Sequence, residues 1–297
     1  MEMQETMMGR GRDAIDMIVD ADSFKEGTVG AKTFDDPEFG PGAVVGTAGL
    51  DGKDVTIIAS DAMAFNEKFP VVYAGIIGME EGYKMAQAVY ASMAADADKS
   101  AAEKRALVLI VDTPGNGPGK VEEIIGMNKA TGAYQLALAE ARLKGHPIVA
   151  MVIGRAISGA FLCHGLQADH ILSLDAQFGT MIHVMPITSI SRIIKKDIET
   201  LEELSKGNPV FAAGPRFFSA LGGVNELVGS IEGMRPAIIK HIAEIRALKA
   251  AGEEDKLGPW GRGLLGEEVK GRVARPKVIA KMNEEFAAVA EKYAPSR

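Results

Sequence analysis

The sequence contains little of what would place it in several common classes of protein. It has one cysteine, Cys163, among 297 residues, which excludes an internal disulfide and a zinc site built from cysteines. Its formal net charge of -7 argues against general nucleic-acid binding, because neutralising phosphates requires a basic surface. No apolar run approaches the roughly 18 residues of a membrane-spanning helix, and residues 1–13 lack a signal-peptide core. We therefore expect a cytoplasmic protein with no transmembrane segment and no nucleic-acid partner.

What the chain does contain is an alternation of apolar runs and helical periodicities, which predicts an α/β fold with parallel strand pairing. Between the first two runs, Asp51-Gly52 is a strong hairpin signal. The predicted strands are residues 44–50, 55–59, 106–111, 147–153, 170–174 and 178–184. The predicted helices are residues 9–19, 78–95, 122–144, 190–204, 234–251 and 276–292, with a glycine-rich, basic connector at 258–276.

Two of the predicted strands lead into glycine-rich turns, at residues 115–119 and 154–160. Loops at the carboxyl ends of adjacent parallel strands meet at one edge of the sheet, where α/β proteins bind ligands. We therefore expect both turns to line one crevice. The substrate-binding residues predicted there are Gly117, Pro118, Gly119, Gly154 and Arg155.

The second turn runs directly into an apolar helix pattern. The first N–H groups of a helix have no partner within it and carry the positive end of its dipole. Such donors suit a carbonyl oxygen that becomes negative during a reaction. We predict that Gly159 and Ala160 supply these N–H groups, with Ser158 as the helix cap. The alternative is a tight strand-to-helix turn that only packs.

Charged residues beside the turns have two interpretations each. For the acidic residues Asp112, Glu122 and Glu123, the alternative to the structural roles given below is that of acid/base groups. Arg155 could hold a carboxylate through a two-bond fork, or it could be an exposed arginine next to a turn. Asp112 is expected to order the first turn through local hydrogen bonds. Glu122 and Glu123 are expected to complement the amino-terminal end of the following helix.

Five short motifs follow one another along the chain: LIVDTPG at 109–115, PG at 118–119, GHP at 145–147, GRAISGAFL at 154–162 and HGLQA at 164–168. In this order they resemble the carboxyltransferase branch of the crotonase-like superfamily, and they are similar in particular to gamma subunits of malonate decarboxylase. The resemblance covers roughly residues 10–230. It implies a crotonase-like spiral of ββα units at residues 1–235. Residues 236–297 would be a helical C-terminal extension that packs on the same domain or on a partner.

In that family the active site lies between the gamma subunit and a related beta subunit. The resemblance implies a malonyl thioester substrate on the phosphopantetheine-type arm of an acyl carrier protein, which is decarboxylated to an acetyl thioester. In the biotin-dependent version, the carboxyl group passes to biotin on a biotin carrier protein. No cofactor would then be bound by this chain itself. The N–H groups of Gly159 and Ala160 would stabilise the thioester enolate that decarboxylation leaves.

A rival interpretation is a serine hydrolase. Ser158 and His183 are twenty-five residues apart and resemble the nucleophile and base of the caseinolytic serine peptidase branch of the same superfamily. Two departures weaken it. The peptidase pattern has one more residue after the serine, and Pro215 stands where the acid is expected. In a third interpretation the chain only completes the fold of its partner.

The remaining reactive side chains are expected to be structural. His164 is interpreted as a satisfied core or interface residue, and Cys163 as a packing residue. No metal-ligand neighbour is assigned to any histidine, so the sequence predicts no metal site. A basic segment near the carboxyl end is either a docking face for an acidic carrier protein or ordinary solvated surface; it comprises Lys270, Arg272, Arg275, Lys277 and Lys281.

Overall fold

The core of the protein is an eight-stranded mixed sheet, seen in a computed structural model that describes residues 5–183, 187–207 and 213–293. The strand order is β1-β4-β5-β6-β7-β8-β10, with β9 pairing to β7, while β2 and β3 form a separate pair. The strands are β1 Lys25–Glu26, β2 Thr28–Val29, β3 Lys32–Thr33, β4 Ala43–Leu50, β5 Lys53–Ser60, β6 Ala106–Thr113, β7 Ile148–Ile157, β8 His170–Leu174, β9 Met181–His183 and β10 Glu226–Val228.

The hairpin and the parallel pairing predicted from the sequence are both confirmed. β4 and β5 are antiparallel around Asp51 and Gly52, which both have positive φ as this two-residue turn requires. The strands from β5 through β8 to β10 are parallel. The strand predicted at 178–184 is shorter in the structure, because a single 3-10 turn occupies Ala176–Phe178 before β9. Val184 lies outside the described residues.

Helices cover both faces of this sheet. In chain order they are α1 Gly11–Ile18, α2 Met79–Ala95, α3 Lys120–Ile125, α4 Met127–Leu143, α5 Ser158–Cys163, α6 Ile187–Ile194, α7 Ile198–Gly207, α8 Pro215–Ala220, α9 Met234–Ala250, α10 Gly258–Glu268, α11 Arg275–Ala287 and α12 Ala290–Tyr293. Within these described segments, no helix has both the length and the apolar character needed to cross a membrane.

Four sequence predictions about helical segments are wrong in detail. The helix predicted at 276–292 is divided into α11 and α12. The helix predicted at 122–144 is interrupted at Gly126, whose φ of 122° no helical residue adopts. The helix predicted at 190–204 is divided into α6 and α7. The predicted connector at 258–276 contains α10. Glycine has low helix propensity, but a Cβ atom on Gly266 would overlap the backbone at Leu221. Close packing therefore outweighs propensity there.

Alternate residues of each central strand belong to two separate apolar clusters, because successive side chains point to opposite faces of a sheet. Leu109 of β6 and Val152 of β7 face the cluster that includes α2, α4 and α5. Ile110 and Ile153 face the cluster that includes α1 and α9. The sheet is thus buried between two helical layers, and its carboxyl edge carries the turns that follow β6 and β7.

α9 begins at the end of the predicted first domain and supplies Ile238 and Ile245 to the second apolar cluster. By contrast, α11 is exposed along its length and presents the apolar side chains of Val278, Met282 and Phe286. The domain boundary at residue 235 stays a prediction.

Candidate active site

The first glycine-rich turn and the residues of the predicted second turn lie side by side at the carboxyl ends of β6 and β7, which are parallel neighbours. Ile77 holds the first turn: its N–H donates to Gly115 O at 3.1 Å, and its carbonyl accepts from Gly117 N at 2.9 Å. A Cβ atom placed on Gly159 would lie 2.6 Å from Asn116 Oδ1. The first turn therefore contacts the start of α5, as the sequence predicts.

β7 is longer than predicted and continues to Ile157, where α5 begins without an intervening loop. Its register with β6 shifts between Val111 and Thr113. Such a bulge bends a strand and redirects the residues that follow it. The prediction that the second turn starts at Gly154 is therefore wrong, since Gly154 and Arg155 are strand residues.

Asp112 lies buried at this bulge. Its Oδ1 accepts hydrogen bonds from the backbone N and the Nε of Arg155, both at 2.8 Å, and its Oδ2 accepts from Gly9 N at 2.6 Å. The prediction that Asp112 orders the next turn through local hydrogen bonds is wrong, because these partners are distant in sequence. A Cβ atom on Gly154 would lie 2.6 Å from Asp112 Oδ1, so only glycine allows this approach. A substrate contact of the buried Gly154 stays a prediction.

Arg155 is neither exposed nor free. Its side chain is only 17% exposed and forms an ion pair with Asp112, so the alternative of an exposed arginine beside a turn is wrong. Because the Arg155 guanidinium is already paired with Asp112, it could bind a substrate carboxylate only by donating hydrogen bonds to both carboxylates at once. The carboxylate-binding role stays a prediction, and the contacts of Arg155 in the structure join β6 to β7.

Ser158 is the first residue of α5 and not its cap. The cap position is Ile157, and no side chain caps the helix, so the prediction that Ser158 caps α5 is wrong. Ser158 has a φ of +58°, a left-handed conformation that costs a residue other than glycine on the order of 1 kcal/mol or more. Strain of this kind persists where the local geometry demands it. Here it lets an extended strand enter a helix within a single residue.

This sharp entry leaves the amides of Gly159 and Ala160 at the start of α5, next to the first turn. Within the described ranges, no acceptor of a hydrogen bond from either amide is found. Gly159 is half-buried and Ala160 fully buried. The geometry is therefore compatible with donors to a ligand oxygen. Asn116, which covers Gly159, was not singled out by sequence reasoning, because a loop asparagine carries no local signal of this contact.

The first turn rests on a buried carboxylate. Glu122 lies in the first turn of α3, as expected, but it is 2% exposed, whereas Glu123 is exposed. Among the described residues, Glu122 Oε1 has no hydrogen-bond partner. A Cβ atom on Gly119 would overlap the Glu122 carboxyl group, so Gly119 is needed to accommodate it. Pro118 is exposed at the tip of this turn.

A second acidic side chain, Glu81, is buried close to the same turn. Its Oε1 accepts a hydrogen bond from Asn66 Nδ2 at 3.1 Å, and burial raises its pKa above the ordinary value. A Cβ atom on Gly117 would contact Gly78 Cα at 3.5 Å, which places this turn against the start of α2. Sequence reasoning missed Glu81, because a glutamate at a helix start ordinarily faces solvent.

His164 directly follows α5 and forms a hydrogen bond at each ring nitrogen. Its Nε2 donates to Ile110 O at 2.9 Å, so its Nδ1 accepts from Tyr134 OH at 3.0 Å. Burial lowers the pKa of His164 to about 4 and raises the pKa of Cys163 to about 12. The interpretation of both as packing residues is confirmed by their complete burial.

We expect acid to destabilise the protein through His164. Its pKa is about 4 when folded and 6.5 ordinarily, so the unfolded chain binds the additional proton between these values. The contribution of neutral His164 to the free energy of unfolding is complete above pH 6.5. It falls by up to about 3 kcal/mol as the pH is lowered toward 4. Urea unfolding at several pH values measures this. The variant His164→Gln should show a shallower fall, and an unchanged slope would contradict the expectation.

Ser158 and His183 are brought close but do not form a catalytic triad. β9 pairs with β7 so that His183 faces Ile157, and burial lowers the pKa of His183. No hydrogen bond connects these two described side chains. Within the part of the chain that the structure describes, His183 Nδ1 has no partner to orient the ring. Pro215 begins α8 and supplies no acid. At the position where the sequence pattern expects the acid, the described part of the chain therefore offers no third member of a triad.

The basic segment is partly neutralised. Arg275 pairs with Glu267 and lies over the Trp260 ring, and Lys281 pairs with Glu284. These ion pairs reduce the positive charge available to a carrier protein. Docking at this segment stays a prediction.

Comparisons with known proteins agree with this architecture. The family model described as malonate decarboxylase gamma subunit matches residues 73–277. A malonyl-S-ACP:biotin-protein carboxyltransferase, MADD of Malonomonas rubra, is 71% identical over 287 residues, which cover 97% of this chain and 98% of that protein. A Pseudomonas malonate decarboxylase hetero-tetramer, solved with coenzyme A, contains a chain that is 30% identical with a TM-score of 0.71, covering 93% of this chain and 99% of that one.

A more distant structure, the transcarboxylase 12S hexamer, matches with 22% identity and a TM-score of 0.61 over 80% of this chain and 40% of that one. The mixed sheet, the direct passage from β7 into α5 and the structural matches define a crotonase-like protein of the carboxyltransferase type, which confirms the predicted fold class. Within that class, the chain belongs to the malonate decarboxylase gamma subunit family. The resemblance noted from the sequence motifs is therefore confirmed.

Proposed function

We propose that this chain is the gamma-type subunit of a malonyl-thioester carboxyltransferase that passes the carboxyl group to biotin on a carrier protein. The observation that carries the proposal is the 71% identity, over nearly the whole chain, to a protein named for this reaction. Direct release of carbon dioxide, as in a biotin-independent malonate decarboxylase, is the second candidate. The similarity to the Pseudomonas malonate decarboxylase supports this second candidate.

In both reactions the bond between the carboxyl carbon and the methylene carbon breaks. Its electron pair passes into the thioester, whose oxygen becomes the negative oxygen of an enolate. The Gly159 and Ala160 amides donate to this oxygen in the proposed site. One such donor contributes about 3–4 kcal/mol to the stability of a transition state. In the transfer reaction, a ring nitrogen of biotin on its carrier protein would lose its proton and bond to the carboxyl carbon. In both reactions the enolate carbon would take up a proton, which gives the acetyl thioester.

A related beta subunit is the proposed partner that completes the site. α3 follows the first turn and exposes the apolar side chains of Val121, Ile124 and Ile125, and Leu162 is half-exposed on α5. Exposed apolar side chains that cluster beside a candidate site are typical of a protein interface. The similar Pseudomonas chains were solved as a hetero-tetramer and as a hetero-dimer. The substrate thioester would be carried by the phosphopantetheine-type arm of an acyl carrier protein.

The proposed reaction can be tested on the complex of this chain with its beta subunit. Malonyl thioester on acyl carrier protein is supplied with and without a biotinylated carrier protein, and acetyl thioester and carboxybiotin are measured by mass spectrometry. We expect acetyl thioester to form only when the biotinylated carrier is present. Equal formation without it would identify direct decarboxylation, and no turnover in either case would reject both candidates.

Replacing Ser158 separates these functions from hydrolysis. The variant Ser158→Ala keeps a Cβ atom and therefore the same backbone cost at positive φ, but it removes the hydroxyl group. We expect malonyl-thioester turnover within about 10-fold of the wild type, because backbone amides supply the proposed donors. Loss of turnover together with a serine-dependent peptidase or esterase activity would instead support the Ser158–His183 hydrolase.

A further inference from the structure

A histidine pair and a glutamate converge where α9 packs on the sheet, away from the crevice. His170 begins β8, while His241 and Glu244 lie one helical turn apart on α9. His170 Nδ1 is 2.8 Å from His241 Nδ1. Glu244 Oε2 is 3.1 Å from His241 Nδ1 and 4.0 Å from His170 Nδ1. Both histidines are buried, and the Glu244 side chain is 45% exposed. The cluster thus opens to solvent on one side.

The contacts of these rings leave the three ligand atoms facing one another. His241 Nε2 is 3.0 Å from Glu226 Oε2, and a carboxylate oxygen accepts hydrogen bonds, so Nε2 is the donor in this contact. The other nitrogen of His241, Nδ1, faces His170 Nδ1 and the Glu244 carboxylate. These three atoms all lie within 4.8 Å of one another.

We propose that His170, His241 and Glu244 bind a divalent transition-metal ion of the Zn²⁺ type. Two imidazole nitrogens and one carboxylate are an ordinary three-ligand set for Zn²⁺, with water completing a tetrahedron. Tetrahedral bonds of about 2.05 Å place ligand atoms roughly 3.3 Å apart, and the observed separations of 2.8, 3.1 and 4.0 Å bracket that spacing. Water would occupy the side that Glu244 leaves open.

The surroundings support a metal site. Glu226 holds the second nitrogen of His241, and this carboxylate–histidine contact is the usual support behind a zinc-bound imidazole. Lys240 pairs with Glu226 and so holds it in place. Sequence reasoning passed over Glu244, three residues after His241, and could not connect either residue to His170, which is 71 residues away. The proposal departs from the sequence prediction of no metal site.

The position of the cluster indicates a structural role. His170 and Glu226 lie at the amino-terminal ends of β8 and β10, whereas the crevice lies at the carboxyl ends of β6 and β7. An ion here would bind α9 to the edge of the sheet. It would thus attach the beginning of the C-terminal region to the core. A metal ion that binds the folded chain but not the unfolded chain also raises the free energy of unfolding.

Co²⁺ is the probe for this site, because its visible absorption reports tetrahedral binding. The full-length chain in complex with its beta subunit is treated with a chelator, dialysed and titrated with Co²⁺, and Zn²⁺ is then added to displace it. We expect one ion for each copy of this chain and a higher melting temperature with Zn²⁺. The variant Glu244→Gln should bind at least about 10-fold more weakly, and Glu232→Gln, at an exposed glutamate before α9, should bind as the wild type does.

The half-exposed Glu244 can be replaced without opening the core, so a folding failure is not expected to obscure the result. His241→Asn provides a second variant, checked by circular dichroism. Absence of a Co²⁺ band in the folded wild type would overturn the proposal. So would a band of the same strength in folded Glu244→Gln and His241→Asn. Because binding and melting are measured without turnover, the result is independent of the proposed reaction.

Discussion

We expect carboxyl transfer to slow by about 100- to 1000-fold when a substitution removes the N–H group of residue 159. Proline removes this N–H group, but any side chain at Gly159 would also meet Asn116 Oδ1. We therefore expect the clearest result in the background Asn116→Ala, which creates the space. Gly159→Pro in that background removes the donor, and Gly159→Ala in the same background keeps it. Gly159 is not among the residues with positive φ, so the alanine replacement causes no strain of that kind.

The comparison of these two double variants isolates the donor. Removing an interaction that is made only in the transition state lowers kcat with little change in KM, so the proline variant should differ from its alanine partner mainly in kcat. Circular dichroism and co-purification with the beta subunit control for folding and assembly. Equal kcat values for the two variants would remove the Gly159 amide from the mechanism and favour a subunit that only completes its partner.

The second large effect is expected on stability. Asp112→Asn should lower the free energy of unfolding by about 3–5 kcal/mol, because it leaves the mostly buried Arg155 guanidinium without its counterion. In addition, the NH₂ group of the new asparagine is itself a donor. It would face one of the backbone N–H groups that now donate to Asp112. Urea denaturation measures the loss. As a control, Glu284→Gln breaks the exposed pair with Lys281 and should cost no more than about 1 kcal/mol.

Adding Arg155→Gln to Asp112→Asn tests the role of Arg155. If the pair acts only by joining β6 to β7, the double variant should recover part of the lost stability, because no uncompensated charge remains. Its turnover should then recover as well. Recovered stability with turnover still reduced more than about 10-fold would contradict a purely structural pair. That result would support the binding of the substrate carboxylate by Arg155.

Much of this fold could be predicted because its signals are local. Asp51-Gly52 predicted a hairpin through backbone conformations that two adjacent residues adopt by themselves. The apolar runs at 106–111 and 147–153 predicted the buried parallel strands. They also predicted that the turns after them would meet, since parallel neighbours end at one edge. The motif order predicted the family, which the comparisons confirm.

The failures share a different cause. The extension of β7 through Arg155 depends on Asp112, 43 residues earlier, and α10 forms because Gly266 packs against Leu221. Glu122 and Glu123 are adjacent and chemically identical, yet only Glu122 is buried. Each outcome is set by a partner that lies elsewhere in the chain. Local pattern carries no information about that partner.

The sequence by itself determined the α/β class, the hairpin, the parallel core and the place where a helix starts after a strand. These follow from the period of apolar residues and from the conformations that glycine and its neighbours allow. Only the tertiary structure decided that Ser158 is strained, that Asp112 pairs with Arg155, and that His170 meets His241. Such contacts depend on how separate elements pack, because burial forces distant polar groups to find partners with each other instead of with water.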